Sequence, residues 1–236
     1  MPYRAWAEAA EHALAPLADP GAAQQMAAYM KHVAPFLGIQ TKPRRAALKS
    51  AWRGLAPLDQ SGLTALVQDL WRRREREYQY AACEALDWHR GELSAGFLSV
   101  SVRALVVTKP WWDTVDSLGS AIIAPLVRTH PELVDTMWAW NRDEDRWLVR
   151  ASIQHQRGNG AATDLSLLLA LCTPHISDRE FFIAKAIGWA LRDASAHWPN
   201  EVQAYIDEHP GISSVARREG QRGVDRALAA VAAQDH

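Results

Sequence analysis

The sequence predicts an all-α chain, a right-handed-type α-solenoid of helix-pair repeats that fills residues 1–236 as a single domain. Three observations predict it. Proline and glycine punctuate the chain at short intervals, and the stretches between them carry apolar residues at a spacing near 3.6. Helix-pair units then recur roughly every 35–40 residues, the size of HEAT-like repeats. A closed helical bundle is the alternative, and the helices are too many and too short for it.

The elements run in order. Pro16, Pro20-Gly21, Pro35 and Gly38 break up the first stretches, and Thr41 before Lys42-Pro43 reads as a helix start. After Pro57, Ser61 leads into Leu63, Leu66, Val67 and Leu70, an apolar face at helical spacing. Ser94 reads as the next cap. Leu98 to Val107, LSVSVRALVV, alternates like a strand, but with no partner strand its backbone groups would lack hydrogen bonds, so helix is expected. Pro110, Pro131, Gly158, Gly160 and Pro174 mark later breaks, with Asp164 and Asp178 as caps. Asp178-Arg179-Glu180 gives way to an apolar face of Ile183, Ala186, Ile187, Ala190 and Leu191. Pro199, Pro210-Gly211 and Ser213 delimit the last helices.

Composition bounds the function. The chain is 48% hydrophobic and 22% charged, which is globular and large enough to bury a core without a staple. Cys83 and Cys172 stand far apart, which excludes a disulfide framework and fits buried helical cysteines in a reducing cytosol. No apolar run approaches a membrane span, and the N-terminal residues lack the order of a signal peptide. Net charge is −1, yet Lys42, Arg44, Arg45, Lys49 and Arg53 come without an acid between them. Further basic clusters lie at Arg72–Arg76 and Arg217–Arg226, so a neutral chain can carry a basic face. No HExxH, GxSxG, GxxxxGK[ST] or GxGxxG occurs, and no metal site or cofactor is expected.

Four stretches carry chemistry, each with a plainer reading beside it. In Trp111-Trp112-Asp113-Thr114-Val115-Asp116, Trp112 and Asp116 are one turn apart, so an indole and a carboxylate can surround a cation. The plainer reading makes Asp113 a cap, Asp116 a surface ion-pair partner and both indoles core. Arg146, Arg150 and Gln154 form a stripe suited to phosphate, or a solvated face balanced by Asp143 and Asp145. In Phe181 to Arg192, Trp189 lies between Lys185 and Arg192, as backbone-and-stacking recognition of nucleic acid requires, or else Trp189 is core. Gly188 permits close approach of a neighbour. Tyr29 offers an aromatic face and a hydroxyl, or closes a core edge.

Taken together, AAYMKHVAPFLGIQTKPRR (27–45), EREYQYAA (75–82), TKPWWDTVDS (108–117), RWLVRASIQHQ (146–156) and EFFIAKAIGWALRDAS (180–195) resemble the AlkD family of bacterial DNA alkylation repair glycosylases. The phrases run in the family's order across almost the whole chain. The resemblance implies a HEAT-like solenoid whose concave, basic face holds duplex DNA containing alkylated purines, and hydrolysis of the N-glycosidic bond of cationic N3- and N7-alkylpurines. Carried over by motif, it implies a catalytic set of Asp116, Trp112 and Trp189, with Arg150 and Tyr29 on the DNA. Lys185, Arg192, Arg44 and Arg45 are the expected outer DNA contacts. It implies a cytoplasmic monomer with no membrane partner, associated with the nucleoid when on DNA. Two competing readings are a non-catalytic HEAT-repeat protein that binds damaged or distorted DNA, and a peptide-binding helical scaffold.

Overall fold

The computed structural model describes residues 2–234, and every regular element among them is helical. The all-α expectation holds. The run that alternates like a strand forms a short α-helix, Ala95–Phe97, a π-helical turn, Leu98–Val102, and the helix Arg103–Val107. The chain packs as two compact units, residues 1–101 and 102–236.

Unit 1 contains α1 (Pro2–Leu14), α2 (Pro20–Tyr29), α3 (Thr41–Ala51), α4 (Gln60–Arg72), α5 (Arg76–His89) and α6 (Ala95–Phe97). Asp19 caps α2 by accepting from the Gly21 and Ala22 amides, with Pro20 at the first helical position. The cap of α4 is Asp59 rather than Ser61, two residues earlier in the chain. Trp6, Leu14, Leu48, Trp52, Leu66, Leu70 and Leu86 are buried where α1 meets α3 and α4, and where α4 meets α5. After α2 the chain turns through Lys31 and His32, both with φ of 58°, a left-handed conformation uncommon outside glycine. The buried Glu77 carboxylate then anchors the segment leading to α3, accepting from the amides of Leu37, Gly38 and Ile39 at 2.8, 2.8 and 3.0 Å.

Unit 2 contains α7 (Arg103–Val107), α8 (Trp112–Leu118), α9 (Ala124–Thr129), α10 (Val134–Asn141), α11 (Arg146–Gln154), α12 (Leu165–Cys172), α13 (Phe181–Ala194), α14 (Pro199–Glu208) and α15 (Ser214–Gln234). α8 passes through a π-helical turn, Gly119–Ile123, into α9, where Pro125 has no N–H to donate. α11 packs against α8, α10 and α13, and α13 packs along α15. The core of Ile153, Leu168, Cys172, Ile187, Leu191, Val202, Ile206 and Val224 joins α11 to α15. Burial pushes the Cys172 thiol up to about 12, which leaves it inert as a nucleophile at neutral pH.

Candidate functional site

α8 begins sharply. Lys109, at φ 54°, turns the chain into Pro110, and Trp111 is extended just before the first helical residue, Trp112. The two neighbouring indoles therefore diverge in role. Trp111 packs with Trp147 and Phe182, ring centroids 5.8 and 5.0 Å away. Trp112 is half-buried and shares one face of α8 with Asp116, a turn later.

Asp116 is held by α11. The Arg150 guanidinium donates from Nε to Oδ1 and from Nη2 to Oδ2, each at 2.9 Å, a bidentate fork. Its Nη1 donates to the Phe182 carbonyl of α13 at 2.7 Å. Arg150 is 1% exposed, whereas the Asp116 side chain keeps 15% of its surface open. Arg150, expected on the DNA, has a buried guanidinium that turns three donors to a carboxylate and a carbonyl, which fixes the carboxylate.

Trp189, half-buried on α13, completes the site. Four cations face its ring: Arg157 at 4.7 Å, Lys185 at 5.3 Å, Arg192 at 5.5 Å and Arg150 at 5.6 Å from the centroid. Arg157 also approaches Asp116 Oδ2 at 3.6 Å. Lys185 and Arg192 meet a second carboxylate, Glu219 of α15, at 2.8 Å each, and Arg222 stands 3.7 Å from it. The hydrogen bond from Lys185, with the charges of Lys185, Arg192 and Arg222, holds the Glu219 carboxyl below its usual range against the opposing effect of burial. Four cations around one indole against two carboxylates leave a formal surplus of two positive charges, a setting that attracts phosphate.

The expected residues thus divide. Asp116, Arg150, Trp189, Lys185 and Arg192 converge, with Trp112 one turn from Asp116. Tyr29, Arg44 and Arg45 belong to unit 1. Tyr29 is 73% exposed at the end of α2. Arg45 is largely exposed and 3.5 Å from Asp87. Arg44, expected as an outer contact, is buried, bonds Glu84 at 3.1 Å and lies 4.6 Å from the Tyr80 ring. Two members escaped sequence reasoning. Arg157 follows Arg150 by seven residues, two helical turns, a spacing that carried the signal. Only Arg222, three residues on, is a local partner of Glu219; the two cations that bond it lie 27 and 34 residues earlier, so sequence spacing did not reveal it.

Comparison with known proteins bears on what this arrangement does. A sequence profile of the family described as DNA alkylation repair enzyme matches residues 10–223. Among curated proteins, none matches the chain. Among solved structures, the chain is similar to a predicted DNA alkylation repair enzyme from Enterococcus faecalis. The likeness has a TM-score of 0.80 at 30% identity and covers 86% of this chain and 94% of that one.

Proposed function

The chain belongs to the DNA alkylation repair enzyme family, and from that premise we propose that it is a DNA N-glycosylase acting on cationic N3- and N7-alkylpurines in duplex DNA. The observation that carries this reading is Asp116: a carboxylate gripped from one side by a buried arginine, partly open to solvent, beside a tryptophan ringed by cations. An alkylated purine already carries positive charge and departs as a neutral base with the bonding pair, so it needs no general acid. Positive charge spreads onto the deoxyribose as the bond breaks. Asp116 stabilises that charge, and its geometry is already fixed by Arg150, so little reorganisation is required. Water adds at the sugar carbon, and its proton leaves to solvent by way of the carboxylate.

Around this centre the cations take the DNA backbone. Arg157, Lys185 and Arg192 hold phosphates near the reacting sugar, while Trp112 and Trp189 pack their faces on the lesion nucleotide. Tyr29 and Arg45, both exposed, supply further DNA contacts from unit 1. A purely binding role explains the cations but gains nothing from a carboxylate aimed at a polyanion.

The test is base release from matched duplexes carrying N7-methylguanine or hypoxanthine, a charged and a neutral lesion. Release of the first, with the second slower by roughly a hundredfold or more, is expected, since only the first leaves without a proton donor. Equal release of both, or release of neither with tight binding to each, removes the glycosylase reading.

A further inference from the structure

Glu219 is a buried carboxylate of unit 2 that the proposed chemistry leaves unused. Its side chain is 5% exposed, yet it gathers three cations, of which Lys185 and Arg192 flank Trp189. Close helix packing brings it there. A Cβ on Gly188 would stand 2.7 Å from the Glu219 Cβ and 3.1 Å from the Ala216 Cα, so only glycine lets α15 come this near α13. A Cβ on Gly223 would likewise stand 2.8 Å from the Arg192 Cα of α13. Glycine inside a helix is unfavourable by propensity, so the close approach runs against local preference. Packing alone gives no reason to place a carboxylate at that approach, since buried ion pairs rarely add stability over apolar residues of similar volume.

Resting on the DNA-repair reading, we propose that Glu219 is a positioning residue that holds Lys185 and Arg192 as a two-sided clamp for a single backbone phosphate beside Trp189. An ammonium has three donors and a guanidinium five, and Glu219 accepts one from each at 2.8 Å. The Lys185 and Arg192 side chains keep 23% and 34% of their surfaces open, so further donors remain for an anion outside. One carboxylate against two close cations leaves net positive charge to receive a phosphate. The carboxylate fixes where that charge sits, because two long side chains left to themselves would each sample many rotamers.

The experiment is ethylation interference on a duplex carrying a tetrahydrofuran abasic site, with wild type and Glu219→Gln. It is paired with single-turnover release of N7-methylguanine at saturating protein. Wild type should show one phosphate whose ethylation weakens binding about tenfold, and Glu219→Gln should lose that focus. Overall affinity should stay equal or tighten, because a negative charge has been removed, while the saturating release rate falls about tenfold from lost alignment. In a background lacking both cations, Lys185→Met with Arg192→Met, Glu219→Gln should add nothing further. An unchanged interference pattern, no single focal phosphate in wild type, or affinity that falls in step with melting temperature overturns the proposal. Loss of the focus in a protein whose wild type releases no base keeps the clamp and removes the glycosylase instead. Should Glu219→Gln not fold, Glu219→Asp retains the charge one methylene further back; a weakened focus supports the clamp, and a wild-type pattern overturns it.

Discussion

In unit 1, Arg44 of α3 meets Glu84 of α5 and lies 4.6 Å from the Tyr80 ring; in unit 2, Arg150 of α11 meets Asp116 of α8 and lies 5.6 Å from Trp189. The inventories match and the geometries do not. Arg44 places Nε and Nη2 on the same oxygen of Glu84, and the other oxygen is buried without a hydrogen-bond partner. Burial pushes the Glu84 carboxyl up, and Arg44 only partly opposes it. Arg150 instead saturates both oxygens of Asp116 from the buried side and leaves the carboxylate partly open. A buried arginine beside an aromatic ring therefore says little by itself. What separates the pair proposed to react from the structural one is that its carboxylate, Asp116, keeps part of its surface open while Glu84 is buried.

The largest break in the comparison is expected from Arg150→Met. It strips Asp116 of its buried counter-charge, so stability should fall by about 3–5 kcal/mol, and base release should fall with it. Denaturant melts and single-turnover release on the folded fraction measure both. Glu84→Gln is the control in the other unit. It should cost about 2 kcal/mol, since the ion pair is lost and Arg44 keeps only a hydrogen bond to a neutral amide oxygen, with release by the folded protein unchanged within roughly twofold. A Glu84→Gln protein that folds but has lost release would erase the distinction between the two pairs.

A pH series sharpens the contrast further. Glu219 is held below its ordinary value of 4.5, so its contribution is present above that value and is lost as pH falls through the lowered one. Glu84 is raised above the same ordinary value, so its contribution is greatest below 4.5 and is lost as pH rises through the raised one. Acid melts should therefore show Glu219→Gln losing least stability, relative to wild type, at the lowest pH. Glu84→Gln should show the reverse trend. The same sign for both would contradict the assignment. The smallest effect is expected from Arg157→Ala, which should lower the salt slope of duplex binding by about one; an unchanged slope would return Arg157 to a solvated role.

Much of this was legible in the sequence, for local reasons. Apolar spacing marked the helices, Asp164 caps α12 as expected, and the Ser213 hydroxyl accepts from the Ala216 amide at the start of α15. Gly188 does admit a neighbour. Cap assignments slipped by two residues where candidates crowd: Asp59 rather than Ser61, and Glu180 rather than Asp178, which instead accepts from the Glu180 amide. The shared face of Trp112 and Asp116 on α8, and the approach of Lys185 to Trp189, follow from i, i+4 spacing. The inward turn of Arg44 and Arg150 does not, because Glu84 lies 40 residues from the one and Asp116 34 residues from the other. Burial of a charged side chain is decided by long-range partners, and a basic run reads the same whether it faces solvent or a carboxylate. The unit boundary at residues 101 and 102 was also hidden, since LSVSVRALVV is helical throughout.

The central claim is that the Asp116 carboxylate, held by Arg150 beside Trp189, stabilises the sugar as an alkylated base departs. Its most direct test is single-turnover release of N7-methylguanine from duplex DNA by wild type and Asp116→Asn, with binding and folding measured on both. Asparagine keeps the shape and removes the charge. A rate lower by roughly a hundredfold or more, with duplex affinity within about threefold, is the expected result. Release at the wild-type rate by a folded Asp116→Asn protein would contradict the claim.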